Sequence, residues 1–305
     1  MIVVTGGAGF IGSNVALMLL KMGREVAIVD NFMTGSREAA EVLRERGAKV
    51  IEGNASKLVE LDDVEAILHL GIPSSSPMYR EDPSLVSSSL GEFMEIIEYA
   101  RKRDLKLIYA STSSLYNGID PPHREDAPIK PMDLYTEARY FMERISSVYQ
   151  SLYGVRSVGL RLFSVYGPNE RQKGKYANVA SQMIWAAMGG KPFIIFGDGN
   201  QTRDFIHVRD VARAFIIAME AGVSGIFNVG TGVETSFREL ASIIAEKLPL
   251  RLEFRPNPIK NYVYRTRADT SLAEEELGFR AEVELRRGIE ELIEAYKEDR
   301  IVFGV

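Results

Sequence analysis

The chain has 305 residues, 46% of them hydrophobic and 26% charged, with a formal net charge of −5. That length buries a large core, while the acidic balance excludes a sequence-independent grip on nucleic acid, which needs a basic face. No apolar run reaches membrane-spanning length and no signal-peptide pattern precedes the first apolar run, so a cytoplasmic location is expected.

In chain order, residues 2–4 form a short β-branched run that Thr5-Gly6-Gly7-Ala8-Gly9 breaks before a helical pattern begins near Ile11. This reads as strand, tight turn and helix. Gly6, Gly9 and Gly12 are three apart, so backbone without Cβ lies where a pyrophosphate must come close, at a helix end whose amides and dipole favour an anion. Residues 26–29 give a second strand ending in Asp30, placed to accept hydrogen bonds from an adenosine ribose. Asp30 also repels a 2′-phosphate, which favours NAD over NADP, although Arg37 lies nearby in sequence.

A helix over 36–46, capped by Ser36, precedes strands over 49–52 and 64–70. Pro83 opens a helical pattern that runs to residue 100, followed by a strand over 107–110, a long helix over 134–152 and a strand over 158–163. Strands alternating with helices predict an α/β fold, a doubly wound parallel sheet of the Rossmann kind. Beyond Phe163 the pattern loosens: helices are expected over 179–188, 211–219, 237–248, 272–277 and 285–296, with strands over 226–229 and 251–257. The expected division is a dinucleotide-binding domain over 1–165, completed by segments within 204–232, and a smaller interleaved lobe over 166–305. A ligand cleft is expected between them.

There is no cysteine, which excludes disulfides, thiol nucleophiles and thiolate metal sites. His69, His123 and His207 are scattered, so no metal is expected, and His69 and His207 read as packed or hydrogen-bonded residues. The fifth strand runs into Ser111-Thr112-Ser113-Ser114-Leu115-Tyr116, and the long helix begins Tyr135-Thr136-Glu137-Ala138-Arg139. Thr112, at the end of a parallel strand, faces the expected cofactor crevice. Tyr135 and Arg139, four apart, share one helix face. A cation beside a phenol stabilises its anion and lowers a pKa of about 10 toward working pH. A Thr–Tyr–cation group beside a nicotinamide removes a proton from an alcohol as hydride leaves its carbon.

Gly6-Gly7-Ala8-Gly9-Phe10-Ile11-Gly12, Asp30-Asn31, His69-Leu70, the 111–116 segment, Tyr135, Arg161-Leu162-Phe163 and Val165-Tyr166-Gly167-Pro168 follow one another in the order seen in extended short-chain dehydrogenase/reductases. The string from Gly197-Asp198-Gly199 to Ile206-His207-Val208 completes the series. The whole chain resembles the nucleotide-sugar branch of that superfamily, most closely the UDP-glucose 4-epimerase type. The resemblance implies NAD in the N-terminal lobe and a nucleoside-diphosphate sugar, a UDP-hexose, in the cleft. Tyr135 would be the general base and Thr112 its hydrogen-bond partner; Arg139, standing where the family has lysine, would reach the cofactor's ribose hydroxyls, and Tyr135 would also contact the cofactor. Gly6, Gly9, Phe10, Ile11, Gly12, Asp30, Asn31, Asn54 and Ala55 would hold the cofactor's adenosine and diphosphate side. Leu70, Gly71, Ile72, Ala110 and Phe163 would line the path to nicotinamide. Ser74, Ser164, Asn178, Val179 and Arg203 would meet the sugar nucleotide, and a homodimer through the 85–100 and 134–152 helices is implied.

Several positions depart from the family pattern. Asn54 replaces an acidic residue, Ser164 replaces an asparagine, and a second arginine near the C-terminus has only Lys260, Arg265 and Arg267 as candidates. Related 4,6-dehydratases follow the catalytic threonine with Asp-Glu, and decarboxylases carry glutamate where Ser114 stands. Oxidation at C4 with return of hydride to the other face, a 4-epimerase, is therefore expected. The alternatives are a dehydratase or decarboxylase of the same fold, or a weakly active NAD-binding scaffold marked by Arg139.

Overall fold

The computed structural model describes residues 1–259, 262–298 and 301–305. Strands β1 (Ile2–Thr5), β2 (Val26–Asp30), β3 (Lys49–Glu52), β4 (Ala66–His69), β5 (Lys106–Thr112) and β6 (Ser157–Leu162) form most of the central sheet. Side chains alternate between two cores: Val4, Ile28 and Leu68 feed one, Val3, Val29 and Ile67 the other. Burial on both faces is why these strands read as unbroken apolar runs.

Helices α1 (Phe10–Lys21) and α2 (Arg37–Glu45) cover the first face, while α3 (Ser76–Glu81) leads into α4 (Leu85–Lys102) and α5 (Leu134–Tyr153), which lie against the second. The second half adds β7 (Ser164–Tyr166), α6 (Val179–Met188), β8 (Phe193–Phe196), β9 (Thr202–Arg203), β10 (Phe205–His207), α7 (Val208–Glu220) and β11 (Gly225–Val229). Then come β12 (Thr235–Ser236), α8 (Phe237–Ala245), β13 (Leu252–Arg255) and α9 (Leu285–Lys297). The main sheet has the order β11-β6-β5-β4-β1-β2-β3, parallel throughout. Thus α7 and β11 return from the second half to complete the first core. A separate cluster, including Ile184, Leu240 and Ile289, joins α6, α8 and α9.

Strand order reverses between β1 and β4, where Thr5 pairs with His69. At such a switch point the outgoing loops diverge and leave a crevice. Some expected elements are shorter: the 64–70 strand spans Ala66–His69, the 251–257 strand Leu252–Arg255, and the 237–248 helix Phe237–Ala245. The 272–277 helix is one π-type turn, Ala273–Leu277. Among the described residues no helix is long and apolar enough to cross a membrane.

One buried ion pair ties α5 to the sheet. Arg161 donates from Nη2 to Glu143 Oε2 (2.7 Å) and from Nε to Oε1 (3.0 Å), and both side chains are 4% exposed. Arg161 Nη1 also donates to the Tyr116 hydroxyl at 2.7 Å, which in turn donates to Asn228 Oδ1 at 2.7 Å. Removing one member of such a pair strands the other charge in the core. Glu143→Ala is expected to cost about 3 kcal/mol or more in urea denaturation; a loss under about 1 kcal/mol, as for an exposed pair, would contradict this account.

Candidate active site

A cavity of about 610 Å³ opens where the sheet order reverses. The glycine turn, the ends of β2 and β5, the loop after β4 and the first turns of α5 wall it on one side. The second half supplies the other wall through Phe163, Ser164, Asn178 and Arg203.

At the glycine end the chain folds back tightly on itself. Gly6 has φ +64°, the left-handed region, and a Cβ on Gly12 would lie 2.1 Å from the Gly6 carbonyl oxygen. Helix α1 has no side-chain cap and no acidic residue in its first turn, so its leading amides are left for an external anion. A tight turn with no room for a Cβ at Gly6 or Gly12, set under an uncapped helix start, fits a dinucleotide diphosphate.

Asp30 sits beside it, accepting from Ala8 N (2.9 Å) and Phe32 N (2.8 Å), and burial raises its carboxyl above the usual range. Asn31 Nδ2 donates to Asn54 Oδ1 at 3.0 Å, and Ala55 N donates to Glu92 Oε2 at 3.1 Å. Arg37 is turned to Glu52, which it holds at 2.6 and 3.1 Å, and covers the Phe32 ring.

Under the middle of the cavity, Thr5 Oγ1 lies 2.8 Å from His69 Nδ1 and accepts from Gly71 N at 3.0 Å. Burial pushes the His69 imidazole down to about 3. It is a neutral, hydrogen-bonded residue that fixes the loop after β4, and Leu70, Gly71, Ile72 and Ser74 line the cavity from that loop.

At the far end, Thr112 closes β5, and its Oγ1 accepts from Ser114 N at 3.1 Å to start the 113–116 turn. Tyr135 stands in the first turn of α5, which Asp133 caps by accepting from Thr136 N at 2.9 Å. Ser76 donates to the same carboxylate. Arg139 Cζ lies 5.2 Å from the Tyr135 ring centroid. Its Nη1 donates to the Ala110 carbonyl (2.9 Å) and its Nη2 to the Pro73 carbonyl (3.0 Å). The sequence expectation gave this arginine to ribose hydroxyls, yet both terminal nitrogens clamp the loop after β4 onto β5.

From the second half, Asn178 caps α6 and its Nδ2 donates to Ser164 Oγ at 2.9 Å. Arg203 lies between the rings of Phe237 and Tyr262, at 5.4 and 5.5 Å, and burial works against its charge. Its neighbour Asp204 is buried and accepts from Thr231, Gly232 and Ala268 backbone amides. Among the described residues Arg203 and Asp204 form no ion pair; Arg203 lines the cavity, and its Nη1 donates to the Thr202 carbonyl at 2.7 Å.

One expected site residue falls elsewhere: Val179, the first residue of α6, does not line the cavity and packs against the α6–α8–α9 cluster, because the Asn178 cap turns it inward. Every other expected site residue lies on the cavity wall. Of the candidate basic residues near the C-terminus, Arg265 is exposed and paired with Glu234 at 2.8 Å. Lys260 lies outside the described residues. Sequence reading missed Lys173, Tyr176, Val263 and Thr266. The first two lie in a polar stretch that reads as a boundary, and the last two in a loop with no local signal. Among the described residues no cluster of three metal-ligating side chains forms.

Comparison with known proteins agrees with this geometry. Residues 2–230 match the model of the NAD dependent epimerase/dehydratase family. A UDP-glucose 4-epimerase of Mycolicibacterium smegmatis is 33% identical over 307 residues, covering 96% of this chain and 97% of its own. The crystal structure of a Thermotoga maritima UDP-glucose 4-epimerase with UDP-glucose superposes with a TM-score of 0.91 at 29% identity, over 97% of this chain and 98% of that one. A Thermus thermophilus UDP-glucose 4-epimerase in complex with NAD gives a TM-score of 0.88 at 28% identity, over 98% and 99%. With three quarters of its length inside the family model and its glycine turn, Thr112 and Tyr135 on one cavity, the chain belongs to the NAD-dependent epimerase/dehydratase family.

Proposed function

We propose that this enzyme is a nucleotide-sugar 4-epimerase acting on a UDP-hexose. The observation that carries the reading is that the glycine cradle, Thr112 and Tyr135 open into one cavity large enough for a cofactor end and a hexose. Ser113 and Ser114 follow Thr112, so no carboxyl stands there to eliminate water or to steer loss of carbon dioxide.

In this reading Gly6, Gly9, Gly12, Phe10 and Ile11 hold the NAD diphosphate, and Asp30, Asn31, Asn54 and Ala55 its adenosine. Leu70, Gly71, Ile72, Ala110 and Phe163 lead to the nicotinamide. Bound NAD supplies the hydride acceptor and donor. The Tyr135 phenol oxygen takes the proton from the sugar 4-hydroxyl and returns it once the 4-keto sugar has presented its other face. Thr112 hydrogen-bonds that oxygen, and the Arg139 charge lies beside the phenol ring. Ser74, Ser164, Asn178 and Arg203 hold the sugar nucleotide, with Arg203 on its diphosphate. Outside the 205–229 return, the 166–305 segment serves as the sugar-nucleotide lobe.

The proposal includes a homodimer through α4 and α5. The free face of α5 exposes Val148, Leu152 and Tyr153, beside a groove lined by Tyr140, Phe141 and Ile145. Light scattering is expected to give twice 34.0 kDa; a monomer at micromolar concentration would remove this part.

Purified protein is expected to interconvert UDP-glucose and UDP-galactose, or their N-acetyl analogues, when followed by NMR. Tyr135→Phe is expected to lower that rate at least about a hundredfold while NAD stays bound. Turnover of none of these, with carbon dioxide released from UDP-glucuronic acid, would move the enzyme to the decarboxylases. Arg139→Lys leaves one nitrogen for two carbonyls, so it is expected to lower the melting temperature without raising turnover. An inactive wild type made active by that change would mark a scaffold instead.

A further inference from the structure

Lys173 lines the cavity from the 3₁₀ segment Arg171–Tyr176, which is kinked at Gly174. Its ammonium lies 5.4 Å from the ring centroid of Phe10, the first residue of α1. One of its three protons goes to Glu170 Oε1 at 2.8 Å, which leaves two donors. Glu170 is fully buried and also accepts from Asn178 N (2.9 Å) and Ser181 Oγ (2.7 Å), so it is a fixed anchor. On the other side of the segment, Lys175 Nζ and Tyr176 Oη donate to Glu81 of α3 at 2.7 and 2.6 Å. The segment is thus strapped across the cavity from the second half to the first.

The two remaining ammonium donors and the uncapped first turn of α1 line the same cavity, so an anion bound there meets donors from both. From this we infer that Lys173 is a binding residue for the diphosphate of the dinucleotide, donating from the roof while the α1 amides donate from the floor. The inference rests on the dinucleotide lying over the glycine turn and is independent of which sugar is turned over.

The test is calorimetric titration of full-length protein, stripped of nucleotide, with NAD, ADP-ribose, adenosine and UDP. Lys173→Gln is expected to weaken NAD and ADP-ribose about tenfold and to leave adenosine and UDP unchanged, with a lower melting temperature because the buried Glu170 carboxylate loses its cation. Lys173→Arg is expected to restore most of the affinity. Equal NAD affinity in wild type and Lys173→Gln would overturn the assignment. A loss confined to UDP would give the cation to the sugar nucleotide instead, and an equal loss for adenosine would reduce its role to packing on Phe10. Should the glutamine variant not fold, the arginine variant and the salt dependence of wild-type NAD binding decide: diphosphate pairing weakens as salt rises, and a salt-independent affinity would refute it. Wild-type protein that binds NAD but epimerises nothing would count against the 4-epimerase reading alone.

Discussion

The approach of two stretches of backbone, Gly12 against the carbonyl of Gly6, is the constraint from which the cofactor end of this enzyme follows. With room for no Cβ at Gly12, the first turn of α1 comes down onto the end of β1 and presents its amides across the mouth of the crevice. The same closeness brings Gly6 against the backbone of Leu70 and Gly71, so the loop after β4 becomes the next section of wall. Thr5 stitches the two together through Gly71 N and His69. Burial keeps that imidazole neutral, which suits a structural hydrogen bond and not proton transfer.

The chemical end depends on a second device, the Arg139 guanidinium. A lysine at this helix position has a single nitrogen; the planar arginine fork reaches two carbonyls at once. Here it spends both terminal nitrogens on Ala110 and Pro73 and still leaves its charge over the Tyr135 ring. The substitution therefore trades a mobile arm for a rigid brace. The phenol meanwhile keeps its positive neighbour.

The periodic elements were legible because their cause is local. Short β-branched runs, glycine breaks and helical spacing place β1, β2, β3, β5 and α5 within a residue or two, and the glycine turn with Asp30 marks the crevice. Residues whose position is decided by tertiary packing were not legible. Val179 looks like a cavity residue until the Asn178 cap turns it into the α6–α8–α9 core. Nothing in the sequence marks Asp204 as the residue that three backbone amides claim. Glu143 and Arg161 find each other across eighteen residues with no signal beyond their separate helix and strand. Thr266 reaches the cavity from a loop near the other end of the chain, where neither periodicity nor motif marks it.

The return of α7 and β11 to the first core bears on how such an enzyme could be taken apart. Cutting after the sixth strand would bare its hydrogen-bonding edge and the apolar side of α1 together, the kind of surface that pairs with other chains. A chimera carrying a foreign second-half lobe would therefore need crossovers on both sides of the 205–229 return. Exchange of substrate preference by recombination is correspondingly harder here than swapping beads on a string, and gradual change along the cavity wall is the easier route.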